Sequence, residues 1–259
     1  MNRSNIKIIF TDLDWTLFDH NKLAFKESGL LALQKARENG VKVIICTARC
    51  YSSMQRVDAV NVIPNDGYIC SGGGLAYASG HYIYRHHLDN DLVLKLIEEF
   101  KERNQVCQFI SYNDAFLNKE EDAISKIYYD NWLECRPKPR PYNNEEITSI
   151  LVFCREGEEE YLKNYPVHVY RFFEYGIDIT NVPFVKSEGV KAVLDYYGFS
   201  KDEAAAFGDD IADIDMFNEV KYGVAMGNGK QELKDKAYMV TDDIDDDGLY
   251  KALERLEVI

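Results

Sequence analysis

The chain has 259 residues, 46% of them apolar, enough to bury a substantial core, so disorder is not the starting expectation. Its 44 acidic residues against 30 lysines and arginines give a net charge of −14 and a pI near 4.8, a field that repels long polyanions and excludes nucleic acid as an expected partner. A small phosphorylated molecule stays compatible, because a few cations and a divalent metal reverse the sign inside one cleft.

Ile6 to Thr11 is a short apolar run that reads as a strand, too brief for a signal peptide or a membrane span, and nothing elsewhere approaches a transmembrane run. Phe25 to Glu38 reads as a helix stopped by Asn39-Gly40, and Val41 to Cys46 as a second strand, ending in Thr47-Ala48-Arg49. A helical stretch from Tyr51 to about Val60 and a strand from Tyr68 to Cys70 continue the alternation, which predicts a parallel sheet. Ser71-Gly72-Gly73-Gly74 lacks the GK[ST] of a nucleotide-binding loop and reads as a turn toward a second domain.

The rhythm then changes. Leu75 to Tyr77 and Tyr82 to Tyr84 flank Ser79-Gly80 as a hairpin, and Asp89 caps a helix carrying Leu92, Leu96, Ile97 and Phe100 on one face. Strands are predicted at Val106 to Ile110, Ile150 to Cys154, Val167 to Phe172 and Gly176 to Ile179, with a loop at Pro137 to Pro141. Alternation resumes from Glu188, with a helix bearing Val190, Val193, Leu194 and Tyr197. A strand at Ala204 to Phe207, a helix from Ile211 to Glu219 and a strand at Tyr222 to Met226 follow. The expected organisation is an α/β core, residues 1–81 and 184–259, interrupted by an α+β domain at residues 82–183.

Four stations carry chemistry. Asp12-Leu13-Asp14-Trp15-Thr16 follows the first strand, and carboxylates two residues apart on extended chain project to the same side, at the strand end where open sheets place ligands. Thr47 is placed to donate to a phosphate, and Arg49 is a further phosphate or substrate contact. Lys186 precedes the helix that restarts the core, where a cation neutralises phosphate and keeps Asp12 ionised. Gly208-Asp209-Asp210-Ile211-Ala212-Asp213 opens a helix with Asp209 and Asp213 one turn apart, hard ligands suited to magnesium. Each has a plain alternative: a solvated acidic turn, a surface lysine, or acids at a helix N-terminus that the helix dipole favours.

Taken in order, the four stations resemble the four motifs of the haloacid dehalogenase superfamily across essentially the whole chain. The insertion between the second and third, with Gly223 to Asn228 and then Asp247-Gly248, resembles the Cof-type metabolite phosphatases. That resemblance implies a Rossmann-like parallel-sheet core with a substrate-covering cap, and a cytoplasmic phosphoric monoester hydrolase of sugar phosphates or similar esters. It implies Asp12 as nucleophile, Asp14 as general acid and base, and Leu13, Thr47 and Lys186 as phosphate contacts. Mg2+ would be held by Asp12, Asp209 and the backbone carbonyl of Asp14, with Asp213 supporting that shell. Trp15, Ala48, Gly72 and Ala212 depart from the pattern, standing where glycine, glycine, asparagine and asparagine are usual. A phosphomutase on the same chemistry, and a silent metal-binding regulator, are the rival readings.

Several signals carry less. The six cysteines are scattered and read as reduced thiols. Asp243 to Gly248 with Glu254 satisfies the letters of an EF-hand loop, yet Tyr238 to Thr241 enters it as a strand and a final helix from about Asp246 to Leu256 explains the acids. His86 and His87 lack a ligand cluster at metal spacing. Tyr112, Tyr128, Tyr129, Tyr170 and Tyr175 are candidates to line a sugar pocket, although most aromatics of a small domain are core. Nothing calls for a membrane or an obligate protein partner.

Overall fold

The structure is a computed structural model that describes residues 4–111, 114–132, 136–183 and 185–259. Its contacts divide the chain into two compact units, Met1–Arg49, Asp58–Tyr84 and Val185–Ile259 forming one, Cys50–Val57 and Arg85–Phe184 the other.

In chain order the first unit begins with β1 (Ile8–Thr11), a ribbon of β2 (Phe18–Asp19) and β3 (Ala24–Phe25), helix α1 (Glu27–Glu38) and β4 (Lys42–Cys46). The expected single helix after Arg49 is instead two short ones, α2 (Tyr51–Arg56), which groups with the second unit, and α3 (Ala59–Val62) of the first, because Asp58 between them takes a left-handed backbone that no α-helix continues through. Next come β5 (Gly67–Cys70), β6 (Leu75–Ala78) and β7 (His81–Arg85). The glycine run is a tight turn feeding β6, which pairs antiparallel with β5, so the chain stays in the same sheet there rather than leaving it. Ser79 and Gly80, both at positive φ, make the β6–β7 turn, as a two-residue hairpin of this handedness requires.

The second unit contains α4 (Asn90–Glu102), β8 (Val106–Ser111), β9 (Ala115–Leu117), α5 (Ala123–Trp132), β10 (Ile147–Phe153), β11 (His168–Phe173) and β12 (Gly176–Thr180). Asp89 caps α4 by accepting the N–H groups of Asp91 and Leu92. The strands form an antiparallel sheet in the order β11-β12-β10-β8-β9. Apolar residues lie on both its faces. Leu92, Val93, Leu96 and Phe100 of α4 join one cluster with Ile150 and Val152, whereas Tyr128 and Tyr129 join the other with Leu151 and Phe153. Every residue of β10 is buried, in keeping with the apolar run Ile150 to Phe153 in its second half. Of the tyrosines considered for a pocket, Tyr128 and Tyr129 are thus core, Tyr170 is half exposed on edge strand β11, and Tyr112 lies outside the described residues.

The first unit resumes with α6 (Lys186–Tyr197), β13 (Ala204–Gly208), α7 (Ile214–Phe217), β14 (Tyr222–Ala225), α8 (Gln231–Lys234), β15 (Met239–Val240) and α9 (Gly248–Arg255). Its eight-stranded sheet runs β15-β14-β13-β1-β4-β5-β6-β7, parallel from β15 through β5. From β1 the chain steps to β4 and β5 on one side and later returns to β13 on the other. The crevice between β1 and β13 is the topological switch point, where sheets of this kind bind ligands beyond the carboxyl ends of their strands. One face is closed by α6, whose Val190, Val193 and Leu194 pack on Ile8, Phe10, Ile44 and Ile69, each fully buried aliphatic side chain stabilising by about 1.5–3 kcal/mol. Gly189 permits this approach, since a Cβ there would lie 2.4 Å from Ile69. Among the described residues no helix is long and apolar enough to cross a membrane.

Candidate active site

The parallel register places Thr11 beside Phe207, so β1 and β13 end together and Asp12 and Asp209 emerge from adjacent strand ends. Asp12 is anchored by its N–H, which donates to Phe207 O at 2.9 Å, and its carboxylate is buried. Leu13 is fully buried in its side chain and offers the site only its main chain. Beyond it the chain turns tightly, with the N–H groups of Leu17 and Phe18 both donating to Leu13 O.

Lys186, the first residue of α6, is buried at 4% exposure and donates to Oδ1 of Asp12 and Oδ1 of Asp213, each at 2.6 Å. Two residues set its position: Gly189, lacking a side chain, lets its helix settle on the sheet, and Asp215 accepts the N–H of Ser187 at 2.9 Å. Asp213 does not sit one helical turn from Asp209 on a regular helix, as its spacing predicts. Its Oδ2 instead accepts the N–H groups of Asp209 and Asp210, curling the chain into a 3-10 turn, Ile211–Asp213, before α7 begins. The carboxylate pairs backbone donors that the start of a helix would leave without partners. The two acids converge all the same.

Oxygens of Asp12, Asp209 and Asp213 lie within 4.8 Å of one another, and Thr16 Oγ1 donates to Asp209 Oδ1 at 3.4 Å. One lysine is shared among three carboxylates, and the electrostatics follow from that count. Burial pushes the carboxyl of Asp12 up to about 7; the charge of Lys186 opposes this, while Asp213 and Asp14 reinforce it. Burial, with Asp12 and Asp213 beside it, pushes Asp209 up to about 9. Lys186 is disfavoured by burial, yet the charges of Asp12 and Asp213 outweigh this and hold it well above the usual lysine range. Both partners of this pair are raised, Asp12 chiefly by its burial and Lys186 by the negative charge of Asp12 and Asp213. Three oxygen donors with unbalanced charge in a small buried cluster fit a hard divalent cation.

Asp14 has a different environment. Partly exposed, its Oδ1 accepts from Arg49 Nη2 at 2.8 Å, Arg49 Nε at 3.1 Å and His20 Nε2 at 2.7 Å, and its Oδ2 accepts from Arg49 Nε at 2.9 Å. Burial pushes this carboxyl up, but the hydrogen bonds from His20 and Arg49 and their charges prevail and hold it down at about 2. Thr47 is fully buried at the end of β4, and its Oγ1 accepts the N–H of Arg49 at 3.1 Å. Arg49, expected near phosphate, is brought to Asp14. Sequence reasoning passed over His20 and Asp215; a lone histidine and one more acid in an acidic loop give no periodic signal.

The loop resembling an EF-hand is neutralised from within the chain: Lys22 pairs with Asp245, Lys26 lies 3.7 Å from Asp247, and Ser28 donates to Asp247 at 2.7 Å. Asp243 caps the turn that follows β15.

The sequence model of the haloacid dehalogenase-like hydrolases matches residues 9–253. The chain is 26% identical to the Bacillus subtilis (strain 168) 5-amino-6-(5-phospho-D-ribitylamino)uracil phosphatase YitU, covering 95% of this chain and 96% of the relative. A hypothetical protein of Geobacillus kaustophilus HTA426 superposes with a TM-score of 0.90 at 28% identity, covering 98% of this chain and all of the other. The haloacid dehalogenase subclass IIB sugar phosphatase BT4131 superposes with a TM-score of 0.78 at 25% identity, again over 98% of this chain and 100% of the other. Matched by the family over almost its whole length, the chain belongs to the haloacid dehalogenase-like hydrolases and is a phosphatase of small phosphorylated molecules.

Proposed function

We propose that this enzyme hydrolyses sugar phosphates or related phosphate monoesters through an aspartyl-phosphate on Asp12, with magnesium as its cofactor. The observation that carries the reading is the contrast between two carboxylates of one strand end. Asp12 is buried against Lys186, and Asp14 is partly exposed and held by Arg49 and His20. Two like groups in unlike surroundings are suited to unlike roles. The sugar-phosphatase neighbour supports the substrate class, and the second unit, whose range is close to the predicted insertion, is the candidate for reading the leaving group.

In the proposed reaction Oδ of Asp12 attacks phosphorus while Lys186 and the hydroxyl of Thr47 offset charge on the phosphoryl oxygens. Asp12, Asp209 and the main-chain carbonyl of Asp14 would hold the cation, with Asp213 bracing the shell through Lys186 and the N–H of Asp209. When bound, magnesium supplies charge neutralisation at the phosphate and keeps Asp12 ionised. Asp14 gives a proton to the leaving oxygen and then takes one from the water that opens the acyl phosphate. An incoming phosphate competes for the guanidinium of Arg49, which weakens the hold on Asp14 and moves its carboxyl back toward the range where it can carry a proton. A cytosolic location is part of the proposal, resting on six scattered cysteines with no paired spacing in the sequence.

Release of inorganic phosphate from p-nitrophenyl phosphate tests the proposal. Turnover should require added magnesium and stop in excess chelator. Full activity in chelator would remove the cation from the account.

A further inference from the structure

The turn after Asp12 contains a costly residue. Trp15 takes φ +59°, a left-handed backbone that is strained for a bulky side chain and that glycine adopts freely. Its main chain is fixed at both ends, with Trp15 N donating to Phe18 O at 2.9 Å and Asn228 Nδ2 donating to Trp15 O at 2.8 Å. These bonds explain how the strain persists. They do not explain the indole, because glycine would make the same bonds.

The indole touches His20. The two rings have centroids 5.1 Å apart at 32°, and Phe18 meets the imidazole in a T-shaped contact at 5.2 Å. Phe18 is itself buried, packs on Phe25 and lies 5.9 Å beneath the guanidinium of Arg49. His20 therefore contacts two aromatic rings, with Nε2 aimed at Asp14 Oδ1. Because a carboxylate accepts only, Nε2 is the donor in that bond.

We propose that His20, braced by Trp15, is the positioning residue for the carboxylate of Asp14. The inference rests on the reading of Asp14 as the group that moves protons. Oδ1 accepts one full bond from His20 Nε2 and one from Arg49 Nη2, whereas Oδ2 has only a share of the single Arg49 Nε–H, which is split between the two oxygens. Oδ1 is thus the anchored oxygen and Oδ2 the working one. A terminal carboxylate torsion is broad and soft, so without His20 the group pivots on Arg49 alone, and that hold loosens when the guanidinium meets phosphate. His20 keeps the direction of Oδ2 when Arg49 lets go.

The test is leaving-group release in a single turnover, with magnesium, from p-nitrophenyl phosphate and from a simple alkyl phosphate. A nitrophenolate leaves with little acid help, whereas an alkoxide needs a well-placed proton. His20→Ala should release nitrophenolate at nearly the parent rate and slow alcohol release by about 10-fold or more. His20→Gln, which keeps an N–H donor, should recover most of that loss. Trp15→Gly, which relieves the backbone, should show the same selective loss at smaller size while remaining folded by circular dichroism. Equal losses on both esters, or no recovery in His20→Gln, would reduce His20 to a packing residue and overturn the proposal. Asp14→Asn run on the same esters separates the two layers. If it shows no selective loss, the proton-moving role of Asp14 fails; if it does and His20→Ala does not, only the role of His20 fails.

Discussion

The ammonium of Lys186 donates to Oδ1 of Asp12 at 2.6 Å, and both groups are buried. Lys186 serves Asp213 at the same distance, so it is the hub of the buried charge. Lys186→Met should leave carboxylates without their partner and destabilise the metal-free protein by about 3–5 kcal/mol at neutral pH. Urea unfolding measures this, and a midpoint unchanged from the parent would contradict the arrangement.

The same surplus of negative charge sets a pH dependence. Asp12 and Asp209 are raised to about 7 and about 9 in the fold, from an ordinary value near 3.8, so across that interval the folded protein binds more protons than the unfolded chain. Stability is then fully present below the unfolded value and is lost as pH rises through the folded ones. The thermal midpoint of the chelator-treated protein should fall between pH 5 and 9, beyond what a control lacking both acids shows. Magnesium should raise it, most at the alkaline end, by binding the deprotonated cluster. A midpoint that rises with pH over this interval would show that the acids are not crowded as described.

Gly208 ends β13 with Asp213 folded over it, and a Cβ there would lie 2.4 Å from Asp213 Oδ2. Gly208→Ala must move that carboxylate off the N–H groups of Asp209 and Asp210, at a cost of about 1–3 kcal/mol. Turnover and magnesium affinity should both fall. Calorimetric titration of magnesium measures the second, and parent-like affinity with parent-like turnover would show that Asp213 can be displaced without consequence.

Much of this was legible in the sequence because it depends on local chemistry. The buried strand Ile8–Thr11 opens on three apolar residues, Asp89 precedes an amphipathic helix it then caps, and the paired Asp12 and Asp14 mark a strand end. What escaped depends on competition or on contacts distant in sequence. The helix read from Ile211 is shortened because Asp213 captures backbone donors, and α5 was missed because Ile124, Ile127, Tyr128 and Tyr129 are weak helix formers held by packing and by Asp122, which accepts the N–H groups of Ile124 and Ser125. The grip of Arg49 and His20 on Asp14 joins residues 14, 20 and 49, and no spacing rule links them.

The central claim is that Asp12 attacks while Asp14 moves protons. Asp14→Asn keeps the nucleophile and loses the base that deprotonates water, so with p-nitrophenyl phosphate the phosphorylated enzyme should accumulate. Rapid acid quench with labelled phosphate, followed by peptide mapping, measures it directly. The account predicts a burst of nitrophenolate approaching one per active site, label on the peptide carrying Asp12, and none in Asp12→Asn. Label on another residue, or steady turnover in Asp14→Asn matching the parent without a burst, would contradict it.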